Sequence, residues 1–124
     1  MPLRLLAVLV GGVLGGGARW AVSSGTGDVP WVLVAVNAAG ALVLAASLVV
    51  LLDRAAAPWL RAFVGTGFCG ALTTFSGIVV PGDELLRDGR PGAAAAYVSG
   101  SLVAGLVAGY AGLVLGRTLV RRTA

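Results

Sequence analysis

Gly65-Thr-Gly-Phe-Cys-Gly-Ala-Leu-Thr-Thr-Phe-Ser-Gly-Ile-Val-Val80 decides how this chain folds. The stretch has no charge, yet it is crowded with glycines and hydroxyls, and it sits inside an uncharged run from Ala62 to Gly82. A run of that kind is long enough to cross a bilayer, which takes roughly 20 residues of helix. A plain lipid-facing helix has no use for Gly70, Thr73, Thr74, Ser76 and Gly77 within two turns of its middle. One reading is a backbone that leaves the helix, tolerated in a membrane only where protein or a polar cavity covers it. Carbonyls freed there can hold a cation. The other reading is a close-packed helix whose hydroxyls bond back to carbonyls one turn earlier.

The rest of the chain places that stretch in a membrane. Of 124 residues, 58% are hydrophobic and only 11% charged, and the mean hydropathy is +0.98. A soluble domain is about a quarter charged. The fold class is therefore an all-α integral membrane protein, read as a single four-helix domain spanning 1–124. The nine basic residues are all arginines set singly or in pairs at the ends of apolar runs. They read as interfacial anchors and not as a nucleic-acid surface. Histidine is absent, Cys69 is the single cysteine, and no acidic residue interrupts an apolar run. That pattern argues against an enzyme, a zinc site or an intramolecular disulfide.

The four spans read as about 4–24, 31–52, 62–81 and 92–116. The first has the short basic start of a signal peptide, but Gly11/Gly15 and Gly12/Gly16 give it two overlapping pairs that let helices approach closely. It is read as a retained helix that ends near Arg19. Asp28 and Pro30 mark a loop. Trp31 opens the second span, whose one strongly polar side chain, Asn37, either bonds a neighbouring helix or donates to an anion. The third span ends at Pro81-Gly82, before a charged turn. The fourth carries Gly105/Gly109 and Gly112/Gly116, and Tyr97 and Ser101 share one of its faces. Both termini then lie on one side with Arg4, Arg54, Arg61, Arg117, Arg121 and Arg122. Arg19, Arg87 and Arg90 lie on the other. The positive-inside rule puts the termini in the cytoplasm of a cell membrane. So small a bundle has little room for an aqueous path of its own, so transport calls for a dimer.

These residues resemble the Fluc (CrcB) fluoride channels. The resemblance rests on Gly11-Gly12 with Gly16-Gly17-Ala18-Arg19-Trp20, on Val36-Asn37-Ala38-Ala39-Gly40, on Gly67-Phe68-Cys69-Gly70-Ala71-Leu72-Thr73-Thr74-Phe75-Ser76, and on Tyr97 with Ser101. It implies an antiparallel, dual-topology-type dimer with two fluoride pores that passively export fluoride and relieve its toxicity. It implies a third helix broken near mid-membrane, where backbone carbonyls of Gly70 and Thr73 hold a structural sodium ion. Asn37, Thr74, Phe75, Ser76, Tyr97 and Ser101 fall on pore positions, and Arg19 on the vestibule arginine. The family string usually continues Thr-Thr-Phe-Ser-Thr-Phe, whereas here Gly77 and Ile78 follow Ser76. The implied pores lose a hydroxyl and a ring. The chain is then either a channel in its own right or an accessory subunit that works as half of a heterodimer. A small multidrug exporter would need a glutamate in the first span, which has none.

Overall fold

The computed structural model describes residues 2–26 and 29–123. Asp28, placed in the first loop from sequence, lies outside the described residues. Helix α1 spans Pro2–Thr26 and α2 spans Pro30–Asp53. The third crossing is built in pieces: α3 (Pro58–Arg61), a π-helical segment (Ala62–Cys69), α4 (Gly70–Leu72) and α5 (Ser76–Arg87). Helix α6, Pro91–Thr123, completes the bundle. The described residues thus form four helical stretches long and apolar enough to cross a membrane: Pro2–Thr26, Pro30–Asp53, Pro58–Arg87 and Pro91–Arg122. All four begin with proline, at a position where a missing N–H costs nothing.

From sequence, the third span ends at Pro81-Gly82. In the structure α5 runs through Pro81 to Arg87, and its last turn carries an exposed Arg87–Asp83 ion pair at 2.8 Å. Gly89, at φ 69°, then turns the chain into α6, a conformation glycine adopts without steric cost.

Two backbone-level contacts hold the bundle together. Helix α1 lies against the π-helical segment and α4, while α2 lies along α6. At the first contact Gly11 and Gly15 face Phe63, Gly67 and Phe68. A Cβ on Gly11 would sit 2.5 Å from the Phe63 carbonyl oxygen, and one on Gly15 would strike the Phe68 carbonyl. At the second, Gly112 meets the Leu42 carbonyl and Gly116 sits against Ala46 and Val49. The other glycine pairs behave differently. Gly12, Gly16, Gly105 and Gly109 have nothing of this chain within 4 Å of the place a Cβ would take. In each of these two helices one glycine pair packs inside the chain, and the other is left on the outer surface. Among the described residues the buried interior is small: besides glycines and Pro81 it holds Ala7, Cys69, Ile78, Ala94, Tyr97 and Ser101.

Candidate functional site

The helical hydrogen-bond ladder stops after Leu72 and resumes at Ser76. Thr73 takes an extended conformation, φ −82° and ψ 152°. Two β-branched threonines in succession are poor helix formers, which favours an interruption here. A helix that stops leaves carbonyls without donors, and one that starts leaves N–H groups without acceptors. The structure meets these groups unevenly, and the unevenness defines the site.

Asn37 of α2 meets Thr74 from both sides. The Thr74 N–H donates to Asn37 Oδ1 at 2.8 Å, and Asn37 Nδ2 donates to the Thr74 carbonyl at 2.9 Å. A side-chain amide offers the same donor and acceptor edge as a peptide, so one residue serves both orphan groups. These two bonds tie α2 to the interruption between α4 and α5. One Nδ2 hydrogen is left over. The Thr73 hydroxyl bonds back to the Cys69 carbonyl at 2.9 Å, and the Thr73 N–H reaches the same oxygen at 3.0 Å. The Thr73 methyl fits a space that only a glycine at position 40 leaves open, since a Cβ on Gly40 would run into Thr73 Cγ2.

By contrast, among the described residues nothing donates to the carbonyl oxygens of Gly70 and Thr73. Both are hard, neutral donors of the type that suits a small cation. Gly70 is exposed, and a Cβ there would meet only the Gly65 carbonyl oxygen, at 3.7 Å. The fold of one chain does not require glycine at this position.

On the outer side of the interruption, Thr74 Oγ1 and Ser76 Oγ lie 2.6 Å apart in a shared hydrogen bond. Between them Phe75 projects with 73% of its surface exposed. A groove of about 350 Å³ opens beside Ser76 and Gly77, bounded by Leu33 and Val80, and reaches Ser23 and Glu84. Arg19 is half-buried in α1, one turn before Ser23 and on the same face. The two positions that depart from the family string are buried. Ile78 is 8% exposed, and a Cβ on Gly77 would sit 3.1 Å from Leu33 Cβ. Gly77 is the residue that fits against Leu33, so a threonine there would have to displace it.

Tyr97 and Ser101 stand behind this seam. Tyr97, 4% exposed, places its hydroxyl 2.8 Å from the Gly77 carbonyl and 3.2 Å from that of Pro30, and its ring meets Trp31 edge-on. Ser101 donates to the Tyr97 carbonyl at 2.7 Å. The structure therefore brings Asn37, Thr73, Thr74, Ser76, Gly77 and Tyr97 into one connected set. Phe75 points out of it, and Arg19 stands apart on α1. Gly40 and Pro30 belong to the set but carry no chemical signal in the sequence, since one contributes the lack of a side chain and the other a backbone oxygen.

Comparison with known proteins places this arrangement. The family described as CrcB-like protein, Camphor Resistance (CrcB), matches residues 6–113. The chain belongs to the CrcB-like family. It is 43% identical over 123 residues to a Streptomyces avermitilis protein named fluoride-specific ion channel FluC 3, covering 95% of this chain and 60% of that protein. It is 41% identical over 124 residues to FluC 1 of Mycolicibacterium paratuberculosis, covering 96% of this chain and 91% of that protein. It is 37% identical over 119 residues to FluC of Chlorobium chlorochromatii, covering 92% of each. This CrcB-like chain thus spans nearly the whole length of two of these relatives and three-fifths of the third. It is a multi-pass membrane protein of an ion-channel family, and that family does not consist of enzymes.

Proposed function

We propose that this chain forms a channel that carries fluoride passively out of the cytoplasm. The observation that carries the reading is the uncharged seam Thr74-Phe75-Ser76 on the outside of a single four-helix unit, with Phe75 and Ser76 exposed and Thr74 half-buried. In hydrocarbon, exposed hydroxyls and unbonded carbonyls cost several kcal/mol each. A second copy seated on this face would cover them and turn an outer surface into the wall of a path. An antiparallel pair is the arrangement that the family resemblance implies. Gly12, Gly16, Gly105 and Gly109, which this chain leaves uncovered, would let such a partner come close.

The chemistry of the seam suits a small, strongly hydrated anion. Fluoride that sheds water needs donors, and the Thr74 and Ser76 hydroxyls and the spare Asn37 N–H supply them. The edge of the Phe75 ring carries the positive part of its quadrupole and can face the ion without hydrating it. Arg19 would draw anions toward the entrance. Tyr97 and Ser101 occupy the fourth-helix polar positions behind the seam. In the cell membrane the six-to-three distribution of arginines favours insertion with both ends in the cytoplasm, whereas an antiparallel pair of identical copies needs both directions equally, so the bias favours a partner inserted the other way up.

The residues also fit a structural sodium ion. The free carbonyls of Gly70 and Thr73 would hold it where two copies meet, and its charge would offset carbonyl dipoles that otherwise face one another. Because the ligands are backbone atoms, Thr73→Val is expected to keep sodium-dependent stability and to lose only the bond to Cys69, about 1 kcal/mol. Gly70→Leu is expected to fold as a subunit yet fail to pair. Melting in sodium against choline buffers, with cross-linking for the dimer, checks both. Sodium-independent melting of the unmodified protein would remove the ion from the reading.

The deciding experiment is efflux from proteoliposomes loaded with fluoride and chloride, with potassium flux short-circuited by an ionophore. Fluoride is expected to leave and chloride to stay. Equal release of both, or a strict need for a proton gradient, would sink the proposal. The same assay separates pairing modes. Ile78 is buried within its own chain, which supports conduction by copies of this chain alone. A rate that rises strongly only with a co-inserted family member would instead favour the heterodimer, with this chain as its accessory half.

A further inference from the structure

Helix α5 contains Pro81 in its interior. A proline has no N–H, so the carbonyl four residues earlier, that of Gly77, loses its helical donor. Gly77 is buried, and a buried carbonyl without a donor is costly. The Tyr97 hydroxyl fills the gap at 2.8 Å. A phenol has one proton to give, and the Pro30 carbonyl at 3.2 Å is its weaker, shared acceptor. The ring that carries the hydroxyl is fixed by burial and by Trp31, whose centroid is 5.4 Å away with the planes at 69°. Gly77 lies in the first turn of α5, next to Ser76 and two residues beyond Phe75.

We propose that Tyr97 is a positioning residue: its hydroxyl replaces the backbone donor that Pro81 lacks. It thereby fixes the first turn of α5, and with it Ser76 and Phe75, against α2 and α6. Its proton is committed to backbone oxygens, so it supplies no hydrogen bond to a passing anion. This rests on the fluoride reading for its functional consequence, though not for its geometry.

A double-mutant cycle tests it. Tyr97→Phe removes the hydroxyl, and Pro81→Ala restores a main-chain N–H to serve Gly77. If Tyr97 works through Gly77, Tyr97→Phe lowers fluoride efflux about tenfold in the parent chain, the factor that follows from losing one buried hydrogen bond. In the Pro81→Ala background it lowers efflux less than about twofold, a departure from additivity expected of coupled residues. Pro81→Ser restores the same N–H should the alanine variant fold poorly. A second readout is independent of transport. In protein labelled at glycine carbonyls and reconstituted in bilayers, the Gly77 ¹³C resonance should move on Tyr97→Phe and return when Pro81→Ala is added. An equal loss of efflux in both backgrounds would show the hydroxyl acting on the ion directly, and an unmoved Gly77 resonance would deny the bond. Either result overturns the proposal. If the unmodified chain passes no fluoride, the fluoride reading fails while the carbonyl resonance still decides the role of Tyr97.

Discussion

Replacing Asn37 with leucine is expected to abolish fluoride efflux and to destabilise the protein by about 2–4 kcal/mol. Leucine matches asparagine closely in size and shape, so packing against α2's neighbours is kept. What is lost is the pair of bonds at 2.8 and 2.9 Å that serves both backbone groups of Thr74. Each group is part-buried and, in a membrane, has no water to turn to. Freed of the clamp, residues 73–75 would seek other partners, and the Thr74–Ser76 hydroxyl pair would lose its fixed geometry. Asn37→Asp separates the two halves of the clamp. A carboxylate still accepts from the Thr74 N–H but repels the Thr74 carbonyl. It also sets a negative charge beside the path of an anion, so stability should fall less than in the leucine variant while efflux is equally lost. Thermal melting in detergent, read with liposome efflux, checks this. An Asn37→Leu protein that melts with the parent but does not conduct would mean that the amide serves only the ion.

Much of the four-helix arrangement is legible in the amino-acid sequence alone. Four uncharged runs separated by arginine, aspartate and proline give four helical stretches, because charges and prolines are costly inside a bilayer and tolerated at its edges. Gly70, Thr73, Thr74 and Ser76 mark a stretch that disfavours an uninterrupted helix, since neither glycine nor short hydroxyl residues favour one, but the sequence leaves a break and a close-packed helix both open. The wide turn of Ala62–Cys69 was not legible. A π-helical segment has no hydrophobic period of its own to distinguish it in a run apolar on every side. Nor was the passage of α5 through Pro81, because the donor that makes it tolerable, Tyr97, belongs to another helix. The overlapping glycine pairs had the same ambiguity. Sequence shows that Gly11/Gly15 and Gly12/Gly16 each could line a contact, but which does so depends on how α1 is rotated, and hydropathy cannot orient a helix whose faces are all apolar. The role of Asn37 is open in the sequence for a related reason: an amide that can bond a backbone can equally bond an ion, and residue type alone does not show that both groups of Thr74 lie within its reach.

Replacing Gly15 with valine is expected to prevent the chain from folding as a stable bundle, at a cost of about 3 kcal/mol or more. A Cβ at this position would fall on the Phe68 carbonyl oxygen, 2.9 Å from its carbon and 3.1 Å from the Leu72 nitrogen. All three obstacles are backbone, so no rotamer change relieves them. Relief requires α1 to move away from the π-helical segment and α4, and those are the elements it packs on most. Such a shift would also draw α1 off Gly67, where a Cβ would sit 2.8 Å from the Val8 carbonyl oxygen. Without α1 alongside, the segment that leads into Thr73 and Thr74 has lost one wall. Gly12→Val is the matched control, since nothing of the chain lies within 4 Å of its Cβ position. That variant should fold as a subunit and, where a second copy packs on this face of α1, show its defect in dimer cross-linking instead. Recovery after heating and size-exclusion of the detergent-solubilised protein would separate the two: aggregation for Gly15→Val, a monodisperse species for Gly12→Val. A Gly15→Val protein that melts within a few degrees of the parent would mean that α1 is not seated on the π-helical segment through its glycines.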